Sequence, residues 1–260
     1  MNFIINDFEI YYQKYGKGKT NILILPGWGD TRSTFNKLIE QMKNYFTIYI
    51  IDYPGFGNSL FPKRDLNMDD YAKLIKNFIT ILNINTPIVI GHSFGGRIIS
   101  LLTTKHKVKF KKIVLIDSAG IKQKKKLRTL IKQYIYKGLK KLGNILPKKL
   151  KQKYQNKLIN MFGSTDLKSL DPNIRKTFIN IINEDLTEYF KRIKCDTLII
   201  WGELDKDTPL KDGYKINKLI DDSGLVILKN CSHFPYLENP HYVNKIIYEF
   251  IKVFATKKED

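Results

Sequence analysis

Cysteine is nearly missing: the 260 residues contain only Cys195 and Cys231. A disulfide-stapled scaffold needs more, and these two lack the close spacing of metal ligands. No apolar run approaches the roughly 18–20 residues that span a bilayer. The opening stretch, residues 1–16, alternates apolar and polar side chains and carries Asp7 and Glu9. That is not the make-up of a secretion signal. Both cysteines therefore read as reduced thiols, buried as small apolar side chains in a cytoplasmic protein. Histidine is also scarce, at four, which narrows any search for a general base. Acidic residues vanish from one stretch altogether: residues 122–157 hold 14 Lys or Arg and no Asp or Glu.

Apolar side chains are plentiful. Hydrophobic residues make up 43% of the chain and aromatics 12%, enough for a sizeable core and incompatible with wholesale disorder. The length suits one large domain, or one domain carrying an insertion. Phe3-Ile4-Ile5 and Phe8–Tyr12 read as a hairpin turned at Asn6-Asp7. Short Ile/Val/Leu runs then recur, each closing on a turn: residues 21–25, 47–51, 87–90, 112–116, 197–200 and 225–228. Continuous apolar runs of this length predict strands covered on both faces, as in a parallel sheet. Helical patterns fall between them, over 33–43, 68–82, 94–105, 210–220 and 241–254. The alternation defines an α/β fold, a mostly parallel sheet with helices on both faces. In such sheets the chemistry gathers at the carboxyl ends of the strands.

The alternation breaks once. From about Ile121 to Lys194 there are only helical patterns, so the core is expected at 1–120 and 195–260, with 121–194 a helical lid over the strand ends. The alternative is a helical stretch that merely thickens the sheet edge.

Gly91-His92-Ser93-Phe94-Gly95 follows a strand and opens a helix. Glycines two residues either side let Ser93 occupy a sharp, strained turn with its hydroxyl exposed. A serine hydroxyl needs a base within hydrogen-bond reach, itself oriented by a carboxylate. Among the histidines, His92 sits inside the turn and is expected to face away in a structural role. His106 closes the following helix, and His241 opens the last one on the surface. His233 remains, in a loop after the last strand, and is the candidate base. Asp205, after the strand at 197–200, is the candidate carboxylate. Asp207 is expected to cap the next helix and Glu203 to turn to solvent, and Asp117 at another strand end is the rival acid. Two donors are needed for an oxyanion. The N–H of Phe94 is one, and that of Trp28, in Pro26-Gly27-Trp28-Gly29, is the other.

Together these segments, with Asp52–Ser59 after the fourth strand, resemble the α/β-hydrolase fold family of serine hydrolases across nearly the whole chain. Pro26 stands where the family usually has histidine, and Ser232 where it often has glycine; neither change removes a reacting group. The resemblance implies an eight-stranded sheet, no metal, no organic cofactor and an acyl-enzyme on Ser93. It leaves the substrate open. Gly27-Trp28-Gly29 is similar to the pimeloyl-acyl carrier protein methyl ester esterases, and His92–Arg97 to carbon–carbon hydrolases of aromatic ring cleavage. The expected activity is hydrolysis of carboxylic esters with small or medium acyl groups, a small-molecule ester being the substrate. Carbon–carbon hydrolysis next to a ketone, or a non-catalytic ligand receptor on the same fold, are the alternatives.

Of the chain's 45 basic and 25 acidic residues, 20 and 5 lie between Lys122 and Lys194, so most of the net charge of +20 is local to that segment. The plain account is a composition rich in Lys, Ile and Asn. The sharper one is a lid that docks an acidic acyl-carrier protein or an anionic membrane surface. Leu127, Leu130, Ile131, Tyr134, Ile135, Leu139 and Leu142 give that segment an apolar helical face. No nucleic-acid recognition motif accompanies the charge.

Overall fold

Residues 22–25, Ile-Leu-Ile-Leu, offer water no polar side chain on either face, so the run is stable only as a covered central strand. In the computed structural model, which describes residues 2–5, 8–122, 139, 147, 150, 154, 170–172 and 174–256, it lies deep in one sheet. The strands are β1 (Asn2–Ile5), β2 (Phe8–Tyr15), β3 (Asn21–Leu25), β4 (Thr47–Asp52), β5 (Ile88–His92), β6 (Ile113–Ile116), β7 (Thr197–Gly202) and β8 (Ser223–Leu228). They lie in the order 1-2-4-3-5-6-7-8. β2 pairs antiparallel with β1 and β4; all other neighbours are parallel.

The helices with described bounds are α1 (Asn36–Met42), α2 (Met68–Ile81), α3 (Phe94–Thr104), α4 (Arg175–Asn183), α5 (Thr187–Phe190), α6 (Leu210–Leu219), α7 (Pro235–Glu238) and α8 (Pro240–Ile251). Side chains alternate across a strand, so the two faces of the sheet carry separate cores. Leu23 and Leu25 join Leu74 and Phe78 of α2, Ile98 and Leu102 of α3 and Ile216 of α6. Ile22 and Ile24 join Leu38 and Met42 of α1 and Val243 and Ile247 of α8. Each of the four β3 side chains is at most 1% exposed, worth about 1.5–3 kcal/mol apiece.

Two of the boundaries that differ from the sequence pattern have a plain cause. β5 begins at Ile88, since Pro87 has no N–H to give a central ladder. β7 runs on through Trp201 and Gly202, which look like a turn in the sequence. The Trp201 ring is fully buried, and a Cβ on Gly213 would lie 2.7 Å from it, so α6 rests directly on the indole.

The expected helical insertion is described only in part. The basic run over 122–157 and the apolar face from Leu127 to Leu142 lie almost wholly outside the described residues. Its later portion, α4 and α5, is helical. Thr177 of α4 accepts from the Leu66 N–H at 2.9 Å, and Phe178 lies 5.5 Å from the Trp28 ring. From α3, Nη1 of the buried Arg97 donates to the carbonyls of Ile181 and Glu184, 3.0 Å each. Among the described residues no helix is long and apolar enough to cross a membrane.

Candidate active site

Ser93 stands between β5 and α3 with φ of 46° and ψ of −103°. A non-glycine residue holds such a conformation only when its surroundings over-determine it. Three main-chain bonds do so: its N–H donates to Ile116, and its carbonyl accepts from Gly96 and Ala119, at 3.0–3.1 Å. The flanking glycines are needed because a Cβ on Gly91 would overlap Ile99, and one on Gly95 would overlap the Leu25 carbonyl. The Ser93 hydroxyl does not cap α3, and the residue is half-buried amid fully buried neighbours.

The loop after β3 runs past this turn. A Cβ on Gly27 would lie 3.6 Å from the Cβ of Ser93, an ordinary contact, but 2.7 Å from His92 Nδ1, so it is the His92 ring that leaves no room for a side chain at that point of the loop. Its turn is closed by the Asp30 N–H donating to Gly27, which leaves the Trp28 N–H outside that bond. The Trp28 ring meets Phe94 edge-on at 5.2 Å and Phe56 at 4.9 Å. Trp28 thus lies in the loop that passes the Ser93 turn, and Phe94 follows Ser93 directly.

Asp205 and His233 follow β7 and β8, which are hydrogen-bonded neighbours. Their loops are zipped together: the Glu203 N–H donates to Leu228 and the Leu204 N–H to Cys231. His233 Nδ1 lies 2.8 Å from Asp205 Oδ2. A carboxylate only accepts, so Nδ1 carries a proton, and it is Nε2 that bears the lone pair in the neutral ring. Burial pushes the Asp205 carboxyl up, but hydrogen bonds from His233 and Thr208 outweigh it and hold the group down at about 2. Asp205 Oδ1 accepts the N–H groups of Asp207 and Thr208, at 2.8 and 3.0 Å. The Thr208 hydroxyl donates to Oδ2 at 2.6 Å. Asp207 does not cap α6, whose N-cap is Pro209 with no side-chain bond; its N–H is spent on Asp205 instead. Glu203 is exposed, as expected.

Asp117 is fully buried at the end of β6, with φ of 42°. Its Oδ1 accepts from the Gly202 N–H at 2.9 Å, while Oδ2 meets no hydrogen-bond partner. Burial, reinforced by the charge of Asp205, pushes its carboxyl up to about 10. A neutral acid explains the arrangement, because Oδ2–H is then a donor beside an anionic carboxylate. Asp117, Asp205 and His233 also bring ligand-type atoms within 4.8 Å of one another. With one member neutral and Nδ1 of another already donating to the third, their chemistry is that of a hydrogen-bonded acid–base array.

His92 does not face away. It is buried against the His233 loop, its Nε2 2.8 Å from the His233 carbonyl and its ring 4.8 Å from that of His233. Tyr236 and Asp30 lie on its other side. Glu238 accepts from both the N–H and the hydroxyl of Ser232, bracing the residue before His233. These supports join residues far apart in the chain and leave no local pattern to read. His106 instead reaches Asp69 at 2.8 Å, joining the end of α3 to α2, and His241 is exposed.

A serine on a strained strand-to-helix turn, with an acid–imidazole pair after two further parallel strands of the same sheet, is the layout of a hydrolase on an α/β sheet. The model of the α/β hydrolase fold matches residues 20–240, and the chain belongs to that family and is a hydrolase. It is 29% identical to the pimeloyl-[acyl-carrier protein] methyl ester esterase of Wigglesworthia glossinidia brevipalpis, over 94% of this chain and 98% of that one. It is 25% identical to 2-hydroxy-6-oxononadienedioate/2-hydroxy-6-oxononatrienedioate hydrolase 1 of Pseudomonas putida, over 94% and 92%. The same fold is seen in the enol-lactonase of Burkholderia xenovorans LB400, with a TM-score of 0.75 at 19% identity, covering 97% of this chain and 100% of that one.

Proposed function

We propose that the enzyme hydrolyses carboxylic esters of small or medium acyl groups through an acyl-enzyme on Ser93. The observation that carries this is the His233–Asp205 pair, whose 2.8 Å bond commits Nδ1 and leaves Nε2 as the base. Ser93 Oγ attacks the ester carbonyl while its proton passes to His233 Nε2. The oxyanion that forms takes hydrogen bonds from the N–H groups of Trp28 and Phe94. As the intermediate collapses, the alcohol leaves with the proton from His233. Water then gives a proton to His233 and attacks the acyl carbon, and the acid departs as Ser93 recovers its hydrogen. Asp205 keeps the imidazole in the required tautomer throughout.

Residues 121–194 act as a cap in this reading, supported by Phe178 resting on Trp28 and by the Arg97 bonds to Ile181 and Glu184. The charge excess of that segment and the likeness to an esterase acting on an acyl-carrier protein favour docking of an acidic carrier over a membrane surface. Two unpaired cysteines suit work in the cytoplasm. A second reading, cleavage of a carbon–carbon bond beside a ketone by the same residues, is favoured by the likeness to the Pseudomonas putida enzyme.

The test is a panel of p-nitrophenyl esters, thioesters and vinylogous diketones run beside Ser93→Ala. Ester turnover and fluorophosphonate labelling should both vanish in the variant; unchanged turnover there ends the proposal. Stoichiometric labelling of the wild type without turnover would mark a receptor instead. For carrier-bound substrates, kcat/KM should fall as salt rises, and indifference to salt would end carrier docking.

A further inference from the structure

Reading His233 as the base leaves one buried histidine without a task. His92 adjoins the nucleophile, and its side chain is 1% exposed. A carbonyl oxygen only accepts, so the Nε2 that meets the His233 carbonyl carries a proton. Burial is the largest influence on the ring and draws its pKa down, so the imidazole is neutral and Nδ1 keeps its lone pair. That lone pair faces the Tyr236 hydroxyl at 3.3 Å, and the same hydroxyl donates to Asp30 Oδ2 at 2.8 Å. Asp30 Oδ2 is also 3.6 Å from Nδ1, and its Oδ1 accepts the Thr31 N–H. Tyr236 is fixed in turn by stacking on Phe35, centroids 4.5 Å apart. The Phe234 ring closes the remaining side at 5.0 Å.

The array touches three parts of the site at once. Asp30 belongs to the loop of the candidate oxyanion donor, His92 to the nucleophile turn, and Tyr236 to the segment just after the base. A Cβ on Gly27 would lie 2.7 Å from His92 Nδ1, so the imidazole also sets how that loop passes. An apolar side chain at 92 would fill the space without desolvating a ring, so a buried imidazole that holds the His233 carbonyl has an orienting task.

We propose that Asp30, Tyr236 and His92 are positioning residues that clamp the main chain of His233, fixing where its imidazole stands relative to Ser93. Asp205 governs the rotation and tautomer of the ring; His92 governs the location of the residue that carries it. The inference rests on His233 being the base. A displacement of about 1 Å at such a group costs on the order of a hundredfold in rate.

His92→Leu removes the donor, and His92→Gln restores an N–H near the place of Nε2. The first should lower kcat by about tenfold to a hundredfold with KM little changed, and slow fluorophosphonate labelling of Ser93 by the same factor. The second should recover most of both. Tyr236→Phe keeps the stacked ring and loses the hydroxyl, and should fall between them. Thermal melts followed by circular dichroism check folding. If the leucine variant does not fold, slowed labelling in Tyr236→Phe with recovery in His92→Gln supports the clamp. Equal losses in the leucine and glutamine variants, or wild-type labelling in His92→Leu or Tyr236→Phe, overturn it. A wild type that fails to label at all defeats the reading of Ser93 instead, so the two failures are distinguishable.

Discussion

Asp117→Asn isolates the electrostatics beneath the acid–base pair. The asparagine Oδ1 can keep the Gly202 N–H bond of 2.9 Å, and its Nδ2–H can serve where the carboxyl proton does. Only the ability to ionise is lost. An unfolded Asp titrates near 4, whereas this one is held up at about 10 by burial and by the neighbouring Asp205. The folded pKa is raised, so the stabilisation from keeping the proton is complete below pH 4 and is lost as pH climbs toward 10. Each pH unit in that window costs the wild type about 1.4 kcal/mol, or about 4 kcal/mol between pH 5 and 8. The asparagine variant carries no such term. Urea unfolding of both proteins at pH 5, 6, 7 and 8 measures the difference in stability, in which titrations elsewhere cancel. The variant should gain on the wild type steadily as pH rises. A difference that stays flat from pH 5 to 8 would mean that Asp117 is already ionised, and the account of the buried pair would be wrong.

Two further outcomes follow from bonds already described. Asp205→Asn should lower kcat by about 10³–10⁴-fold, because an amide at Oδ2 no longer selects the Nδ1–H tautomer of His233; steady-state kinetics showing less than a tenfold loss would refute that role. Arg97→Met should destabilise the fold by about 2–4 kcal/mol, since the Ile181 and Glu184 carbonyls each lose a charged donor. Hydrogen exchange should then quicken over α4, and unchanged protection there would refute the link from the nucleophile helix.

The strands and the candidate reacting groups were legible because their signals are local. Ile/Val/Leu runs announce covered strands, and glycines at 91 and 95 announce a turn where the main chain must pass close by. The hairpin of β1 and β2 and the six parallel strands stand where the pattern put them, give or take up to three residues. What was not legible is what distant segments do for one another. His92 reads as an inert turn residue until Tyr236 and Asp30 are brought beside it. Asp207 looks like a helix cap because acidic residues before proline commonly are, yet its N–H is drawn to Asp205. Trp201-Gly202 looks like a turn, yet both residues pair with β8 as far as Leu228, and the indole is covered by Gly213 from a later helix. Asp117 was visible as an acid at a strand end, but burial, and hence its neutral state, is a property of the assembled sheet.

The order of the strands carries a consequence for the newborn protein. Ser93 is made early and belongs to the middle of the sheet, whereas Asp205 and His233 are made after residues 122–194 and come from the adjoining pair β7 and β8. A domain generally folds as a unit, so in the proposed mechanism a chain halted before those last two strands has the serine but neither the imidazole nor the carboxylate meant to draw off its proton. In that mechanism, acyl transfer therefore waits until β7 and β8 have been made and have joined the sheet.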